Sequence, residues 1–240
     1  MKKRDLFRHL IVIKTVKANG ILSGMGFLVK TNDEKVFIVS AAHVARDTII
    51  NTELWFMDLN MQTPLLVNIN QINKYNEWFY HPTADIAIIE VKKIHLDAIK
   101  RETNETSTNT KINILDYCLD INNIESNLYS VPEREESISI FGSEEIIYYD
   151  RKFSPLSIEA KVGSDLTIQH NDFTNQIYNC FYIDKPSKQG FSGSPAFVIG
   201  ESERCYGIAT GTISDNTGGK MGIILHSFYI FDIINLYYSK

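Results

Sequence analysis

The most informative stretch of this chain is Gly190-Phe191-Ser192-Gly193-Ser194-Pro195-Ala196-Phe197. It places a serine between two glycines, directly ahead of an apolar, strand-like run. Small neighbours let the backbone turn tightly, so the amides of Gly190 and Ser192 can point at one spot beside the Ser192 hydroxyl. Taken alone, such a Gly/Ser/Pro sequence is equally typical of an ordinary turn between strands. Whether Ser192 is catalytic or part of an ordinary turn therefore depends on the rest of the sequence.

Two upstream segments supply the partners that a reactive serine needs. The apolar run 36–40 leads into Ala41-Ala42-His43, and Asp85 opens the apolar run 86–91. Each has an ordinary interpretation, His43 as a buried histidine at the end of a strand and Asp85 as a turn-forming residue. A serine becomes nucleophilic when a histidine takes its proton and a carboxylate fixes the histidine's tautomer. Together, in the order His, Asp, Ser, the three residues indicate nucleophilic catalysis.

The composition excludes several other classes of protein. The chain is 44% hydrophobic and 22% charged, which is usual for a soluble globular protein. Its net charge is −5 and its Lys and Arg residues are scattered, so we expect no nucleic-acid partner. No apolar run approaches the ~18 residues of a membrane span, so we expect no membrane association. Three cysteines without paired spacing predict a reduced, cytoplasmic setting.

Short β-branched and aromatic runs, separated by Gly, Asn, Asp and Ser, predict an all-β protein with two groups of strands. The first group is expected at 10–16, 26–29, 36–39, 65–69 and 86–91. The second is expected at 137–141, 146–149, 158–162, 166–168, 177–183, 196–199, 205–210 and 221–225. Residues 100–110 are polar and suit a linker or surface loop. Apolar residues at Ile230, Ile233, Ile234 and Tyr237 predict one amphipathic helix over 228–238.

At this point the chain resembles a trypsin-like (chymotrypsin-fold) serine protease of the bacterial type. The matching segments are 24–29, 40–43, 85–87, 190–195 and 207–211. The resemblance implies two six-stranded antiparallel β-barrels with a C-terminal helix. The first barrel would span residues 1–97, a linker or loop region 98–130, the second barrel 131–226 and the helix 227–240.

The resemblance also implies a role for each matching residue. Ser192 would attack the scissile carbonyl, His43 would act as general base and then acid, and Asp85 would orient His43. Thr210 would hydrogen-bond near Asp85. The segment Thr210, Gly211 and Thr212 would pair with the substrate as an extra strand. The implied activity is that of a serine endopeptidase that forms an acyl-enzyme.

The sequence differs from the digestive members of this family in the features that govern specificity and activation. No Ile-Val-Gly-Gly-type activation sequence precedes the first group of strands. By the resemblance, Pro186 lies at the base of the P1 pocket, and Ala209 and Gly222 form other walls. Because no acid is present there, we expect a small or medium uncharged P1 side chain.

Three alternatives for function remain open. The chain is an active endopeptidase, a latent protease activated by a partner, or a non-catalytic peptide-binding module with the protease fold. The expected partners are a protein or peptide substrate and a regulatory protein acting through the unmatched stretch 94–136. The histidines and cysteines show no metal-ligand spacing, so neither a metal nor a cofactor is expected.

Overall fold

The computed structural model describes residues 6–18, 20–57, 64–99, 109–143, 156–171, 174–200 and 204–240. The first sheet contains β1 (Leu10–Lys17), β2 (Gly20–Lys30), β3 (Val36–Ser40), β4 (Glu53–Phe56), β5 (Leu65–Asn68), β6 (Phe79–Tyr80), β7 (Ala87–Glu90), β8 (His95–Ile99), β9 (Asn109–Asn113) and β10 (Cys118–Asp120). The second contains β11 (Ser137–Gly142), β12 (Leu156–Lys161), β13 (Thr167–Asn171), β14 (Gln176–Ile183), β15 (Pro195–Val198), β16 (Cys205–Ser214) and β17 (Lys220–His226).

Three α-helices and three short 3₁₀ segments complete the described elements. The α-helices are α1 (Ala42–Arg46), α2 (Ile69–Ile72) and α3 (Phe228–Tyr238), and the 3₁₀ segments are Phe7–His9, Ile114–Tyr117 and Ile121–Asn123. None of the described helices is long and apolar enough to cross a membrane.

The strand order gives two largely antiparallel sheets. It is β6-β7-β3-β2-β1-β4-β5-β8-β9 in the first sheet, with β10 pairing parallel to β2. In the second it is β12-β11-β15-β16-β17-β14-β13. The all-β architecture with a C-terminal helix is therefore confirmed. The strand counts differ from six and six, because the described strands form open sheets of ten and seven.

Part of the extra count comes from the segment 98–130, which was expected to be a linker or loop. It holds β9 and β10, which extend the first sheet. Ile112 and Leu119 are buried in the hydrophobic cores, so the segment is fixed to the sheet by packing. Strands this short carry one or two apolar residues among polar ones, which is too little for a periodic signal. The expected strand at 146–149 and residues 100–108 lie outside the described part of the chain.

The strands of the first sheet contribute side chains to two different hydrophobic cores. In β1, Ile11 and Ile13 belong to a core within the first sheet, whereas Leu10 and Val12 belong to a core shared by both sheets. Successive side chains of a strand point to opposite faces, so a strand covered on both faces reads as a continuous apolar run. The shared core therefore joins the two sheets.

The C-terminal helix packs against both sheets, and its predicted range of 228–238 is confirmed. Ile230, Ile233 and Ile234 of α3 are buried in the shared core. The Tyr229 hydroxyl accepts the Asn179 backbone N–H of β14, and the Tyr237 hydroxyl donates to Glu90 of β7.

Candidate active site

His43 lies in α1, three residues beyond the end of the strand that was expected to carry it. β3 ends at Ser40, Ala41 is extended, and the helix begins at Ala42. The first N–H groups of a helix have no partner within that helix. The His43 backbone N–H therefore remains able to donate to a side chain across the loop.

Asp85 is that partner, and it binds His43 twice. Its Oδ2 lies 2.7 Å from His43 Nδ1, and its Oδ1 accepts the His43 backbone N–H at 3.0 Å. The Asp85 side chain is 10% exposed, whereas that of His43 is 29% exposed. Because an ionised carboxylate can only accept, Nδ1 carries the proton. Nε2 is then the ring nitrogen that can take a proton from another group.

The second sheet contributes two neighbours behind this pair. Burial raises the pKa of the Tyr178 phenol on β14, and the nearby Asp85 carboxylate raises it further. Tyr178 is therefore a neutral phenol at physiological pH. Thr210 is buried beside that phenol and lowers its pKa in part. The hydrogen bond expected from Thr210 near Asp85 therefore stays a prediction.

The turn that carries Ser192 is bonded to both sheets. The Met25 N–H of β2 donates to the Ser192 carbonyl at 2.7 Å, and the Gly193 N–H donates to the Ala209 carbonyl of β16 at 2.7 Å. The buried Ser194 hydroxyl accepts the Phe141 N–H of β11 at 2.7 Å. These contacts fix the backbone on either side of Ser192, so its position depends on three different strands.

Both glycines that flank Ser192 adopt backbone angles suited to glycine. Their φ values are +86° at Gly190 and +88° at Gly193. A Cβ at Gly190 would overlap the Ser143 carbonyl oxygen, and one at Gly193 would overlap the Met25 carbonyl oxygen. The turn therefore needs glycine for both conformation and space, as expected where amides must approach a reacting group.

Ser192 and His43 line one cleft of about 160 Å³. Its other lining residues come from β1, β2, α1, the residue after α1 and the segment before Ser192, and they are Ile13, Thr15, Leu22, Ser23, Gly24, Val44, Asp47, Gln189 and Gly190. The structure thus brings His43, Ser192 and Gly190 together, with Asp85 bonded directly behind His43. Pro186, Ala209 and Gly222 do not line this cleft.

The residues predicted to form the P1 pocket lie on the β16 side of Ser192. Ala209 is fully buried, and a Cβ at Gly222 would lie 2.7 Å from both the Ile183 side chain and the Lys185 carbonyl oxygen. Next to Pro186, the Ser187 hydroxyl donates to the Gly211 carbonyl at 2.8 Å and lies 3.0 Å from Thr212 Oγ1. Thr212 Oγ1 in turn donates to the Ser187 carbonyl at 3.0 Å. The two segments expected to flank a P1 side chain are therefore bonded to each other.

Other reactive groups lie away from the cleft. Burial raises the pKa of Cys118, Cys180 and Cys205 to about 12 each, so all three are protonated thiols at neutral pH. His226 ends β17 and is fully buried, with Nε2 3.2 Å from the Ser130 carbonyl oxygen. Within the described ranges, no three His, Cys, Asp or Glu side chains are grouped to hold a metal ion.

Sequence reasoning missed several residues that support the site. Ser40 donates to the Met25 carbonyl, Tyr178 lies behind Asp85, and His81 contacts the loop that carries Asp85. His81 had a local signal, since it precedes Asp85 by only a few positions. Tyr178 and Met25 had none, because their contacts join distant parts of the chain.

Comparison with known proteins agrees with this architecture. The Trypsin family model matches residues 12–234. The active form of the Rv3671c protease from M. tuberculosis is 14% identical, with a TM-score of 0.58 over 96% of this chain and 81% of that chain. The apo MamO protease domain from Magnetospirillum magneticum is 12% identical, with a TM-score of 0.58 over 95% of this chain and 96% of that chain.

An inactivated protease paralogue from the scabies mite, S-I1, is also similar. It is 12% identical, with a TM-score of 0.60 over 100% of this chain and 98% of that chain. No curated protein sequence matches the chain. At these identities the solved structures establish a common fold, which active and inactivated proteases share. With the family match over residues 12–234, the chain belongs to the trypsin family of serine proteases.

Proposed function

We propose that this chain is a serine endopeptidase in which Ser192, His43 and Asp85 act as the catalytic triad. The observation that carries the proposal is the double contact of Asp85 with His43, on the far side of an imidazole that shares a cleft with Ser192. A carboxylate held this way sets the tautomer that a general base requires. The intact pair argues against a purely binding role.

The proposed reaction uses each group in turn. Ser192 Oγ attacks the scissile carbonyl carbon while His43 Nε2 takes the hydroxyl proton, and Asp85 stays ionised beside the resulting imidazolium. The amides of Gly190 and Ser192 donate to the oxyanion, and each such donor contributes about 10²–10³ in rate. His43 then protonates the leaving amine as the C–N bond breaks, leaving an ester on Ser192. A water molecule, deprotonated by His43, hydrolyses that ester and restores the serine.

The P1 side chain in this proposal is uncharged and small to medium in size. Pro186 offers no charge, and the bonds from Ser187 to Gly211 and Thr212 narrow the space between their segments. The cleft lined by Ser23, Gly24 and Gln189 does not include the predicted P1 residues, and in this proposal it takes the leaving half of a peptide.

Labelling with a fluorophosphonate probe tests the proposal. We expect the wild-type chain to be labelled on one serine and the Ser192→Ala variant to be unlabelled. Ser187→Ala is the matched control, because it removes a nearby hydroxyl outside the triad, and it should be labelled. A folded wild-type chain that resists the probe would overturn the proposal and favour a peptide-binding module.

A second candidate, a latent protease, is favoured by one observation. The same Ser187 contacts that narrow the P1 space hold its two flanking segments together. Peptide libraries with Ala or Phe at P1 separate the candidates when wild type and Ser187→Ala are compared. A small-P1 enzyme cleaves the Ala peptides equally fast in both forms. A latent enzyme cleaves every peptide faster once Ser187 is replaced.

A further inference from the structure

The loop that carries Asp85 is built around a second, fully enclosed histidine, His81. Its Nδ1 accepts the backbone N–H of Ala84 at 2.9 Å and that of Thr83 at 3.1 Å. A ring nitrogen that accepts from peptide N–H groups carries no proton. The neutral ring therefore has its proton on Nε2, which lies 2.9 Å from Asp232 Oδ2 on α3.

The surroundings of His81 favour this neutral form. The residue is 4% exposed, and its ring meets the Tyr229 ring edge-on with centroids 5.2 Å apart. Burial lowers the pKa of His81, while the hydrogen bond and charge of Asp232 raise it in part. His81 is thus held on one side by its own loop and on the other by two residues of the C-terminal helix.

The same loop is also held from the second sheet. The Thr83 carbonyl accepts Asn171 Nδ2 at 2.7 Å and the Thr174 hydroxyl at 3.0 Å. The His81 backbone N–H donates to the Ile86 carbonyl at 3.1 Å, which closes the loop at its base. Asp85 lies inside this closed turn, so its carboxylate direction follows from how the turn is held.

We propose that His81 is a positioning residue for Asp85. Through Nδ1 it shapes the turn, and through Nε2 it ties the turn to Asp232, so that Asp85 faces His43 while α3 is docked. This inference rests on the proposed protease function, because the positioning matters only if Asp85 serves the triad. It assigns the C-terminal helix a direct part in holding the catalytic carboxylate.

Two substitutions of His81 test its two sets of hydrogen bonds separately, those at Nδ1 and that at Nε2. In His81→Asn the Oδ1 atom can replace Nδ1 as acceptor for the loop amides, but the side chain is too short to reach Asp232. In His81→Gln the amide can still reach Asp232, but no acceptor remains at the Nδ1 position. Asp232→Ala removes the tie from the helix side. His95→Asn is the matched control, since His95 is exposed at the start of β8, which pairs with β5 and β9.

The rate of fluorophosphonate labelling is measured together with the low-field NMR proton of His43 Nδ1–H. We expect His81→Gln to slow labelling by about 10²-fold and to lose the NMR signal, because small misplacements of catalytic groups cost that much. We expect His81→Asn and Asp232→Ala to slow labelling by about tenfold each, and the double variant by no more than either, because they break the same contact. His95→Asn should match wild type.

The outcomes separate this inference from the proposed function. If variants of His81 only melt earlier, while their folded fraction keeps the wild-type rate and NMR signal, the residue is merely structural and the inference is wrong. Additive effects of His81→Asn and Asp232→Ala would also overturn it. If the wild-type chain is never labelled, the proposed function fails. The NMR signal of His43 in the variants then still decides whether His81 positions Asp85.

Discussion

The loop of Asp85 and the segment of Ser187 flank the same serine, but they are held in opposite ways. In the Asp85 loop His81, Ala84 and Asp85 are buried. The Ala84 N–H donates to His81 Nδ1, His81 Nε2 donates to Asp232 of α3, and the Thr83 carbonyl accepts from Asn171 of β13. The Ser187 segment is bonded to β16 by partly or fully exposed side chains. Hydrogen bonds exposed to water contribute little net stability, whereas buried groups are costly to leave unpaired. The loop of the proposed catalytic carboxylate is therefore held rigidly, whereas the segment proposed to flank the P1 side chain can move at a small cost in free energy.

Replacing the carboxylate tests the fixed side most severely. Asp85→Asn keeps the shape of the side chain but presents an amide that cannot enforce the Nδ1–H tautomer of His43. We expect kcat/KM for a peptide substrate to fall by about 10⁴-fold. Thermal unfolding should show a folded variant. Activity within tenfold of wild type would mean that Asp85 does not serve His43.

The turn between the two regions gives the next largest effect, on stability. In Gly193→Ala the added Cβ would overlap the Met25 carbonyl oxygen and crowd Ser40 Oγ, so we expect a loss of at least about 3 kcal/mol in the free energy of unfolding. Gly218→Ala is the matched control, since its φ is +93° but its Cβ would meet nothing within 4 Å. Left-handed strain alone should cost about 1–2 kcal/mol there. Urea unfolding measures both variants, and equal losses would show that space at Gly193 is not limiting.

Paired removal of one hydrogen bond from each region tests the comparison directly. Asn171→Ala deletes a buried donor to the Thr83 carbonyl, and we expect it to cost about 1–3 kcal/mol of unfolding free energy. Ser187→Ala deletes partly exposed contacts and should cost less than about 1 kcal/mol. Chemical denaturation at one pH compares the two variants. A larger loss in Ser187→Ala would reverse our assignment of the rigid and the movable side.

Acidification should lower the free energy of unfolding through two buried histidines. Burial lowers the pKa of both His81 and His226, so the unfolded chain binds protons more tightly than the folded chain. The free energy of unfolding should therefore decrease as the pH falls below the ordinary histidine value of about 6.5, until both folded histidines are protonated. Denaturation curves between pH 7.5 and 5 measure this slope. His81→Asn should make it shallower, and a slope as steep as that of wild type would contradict this contribution of His81.

Much of the candidate site could be predicted from the sequence because its signals are local. Ser192 lies between glycines, His43 follows a buried run with two alanines, and Asp85 opens another apolar run. The apolar spacing of α3 was equally readable. The contributions of β9 and β10 were not, because strands with one or two buried residues leave no periodic pattern.

The support around the site could not be predicted, because it depends on contacts between distant residues. Nothing near Thr210 in sequence indicates that its side chain lies beside Tyr178. The Asp232 contact of His81 spans 151 positions along the chain. The link from Ser187 to Thr212 depends on how β16 approaches the segment before Ser192.

The sequence by itself determined the all-β class, the closing helix and the order of the three residues assigned to catalysis. Side-chain periodicity and glycine-bounded turns are properties of neighbours along the chain, so they can be read without a structure. The tertiary structure alone decided that Asp85 makes two hydrogen bonds with His43, that the segments expected to flank the P1 side chain are bonded to each other, and that α3 contacts the Asp85 loop. Each of these depends on the relative placement of two sheets, which the shared hydrophobic core sets and no local pattern encodes.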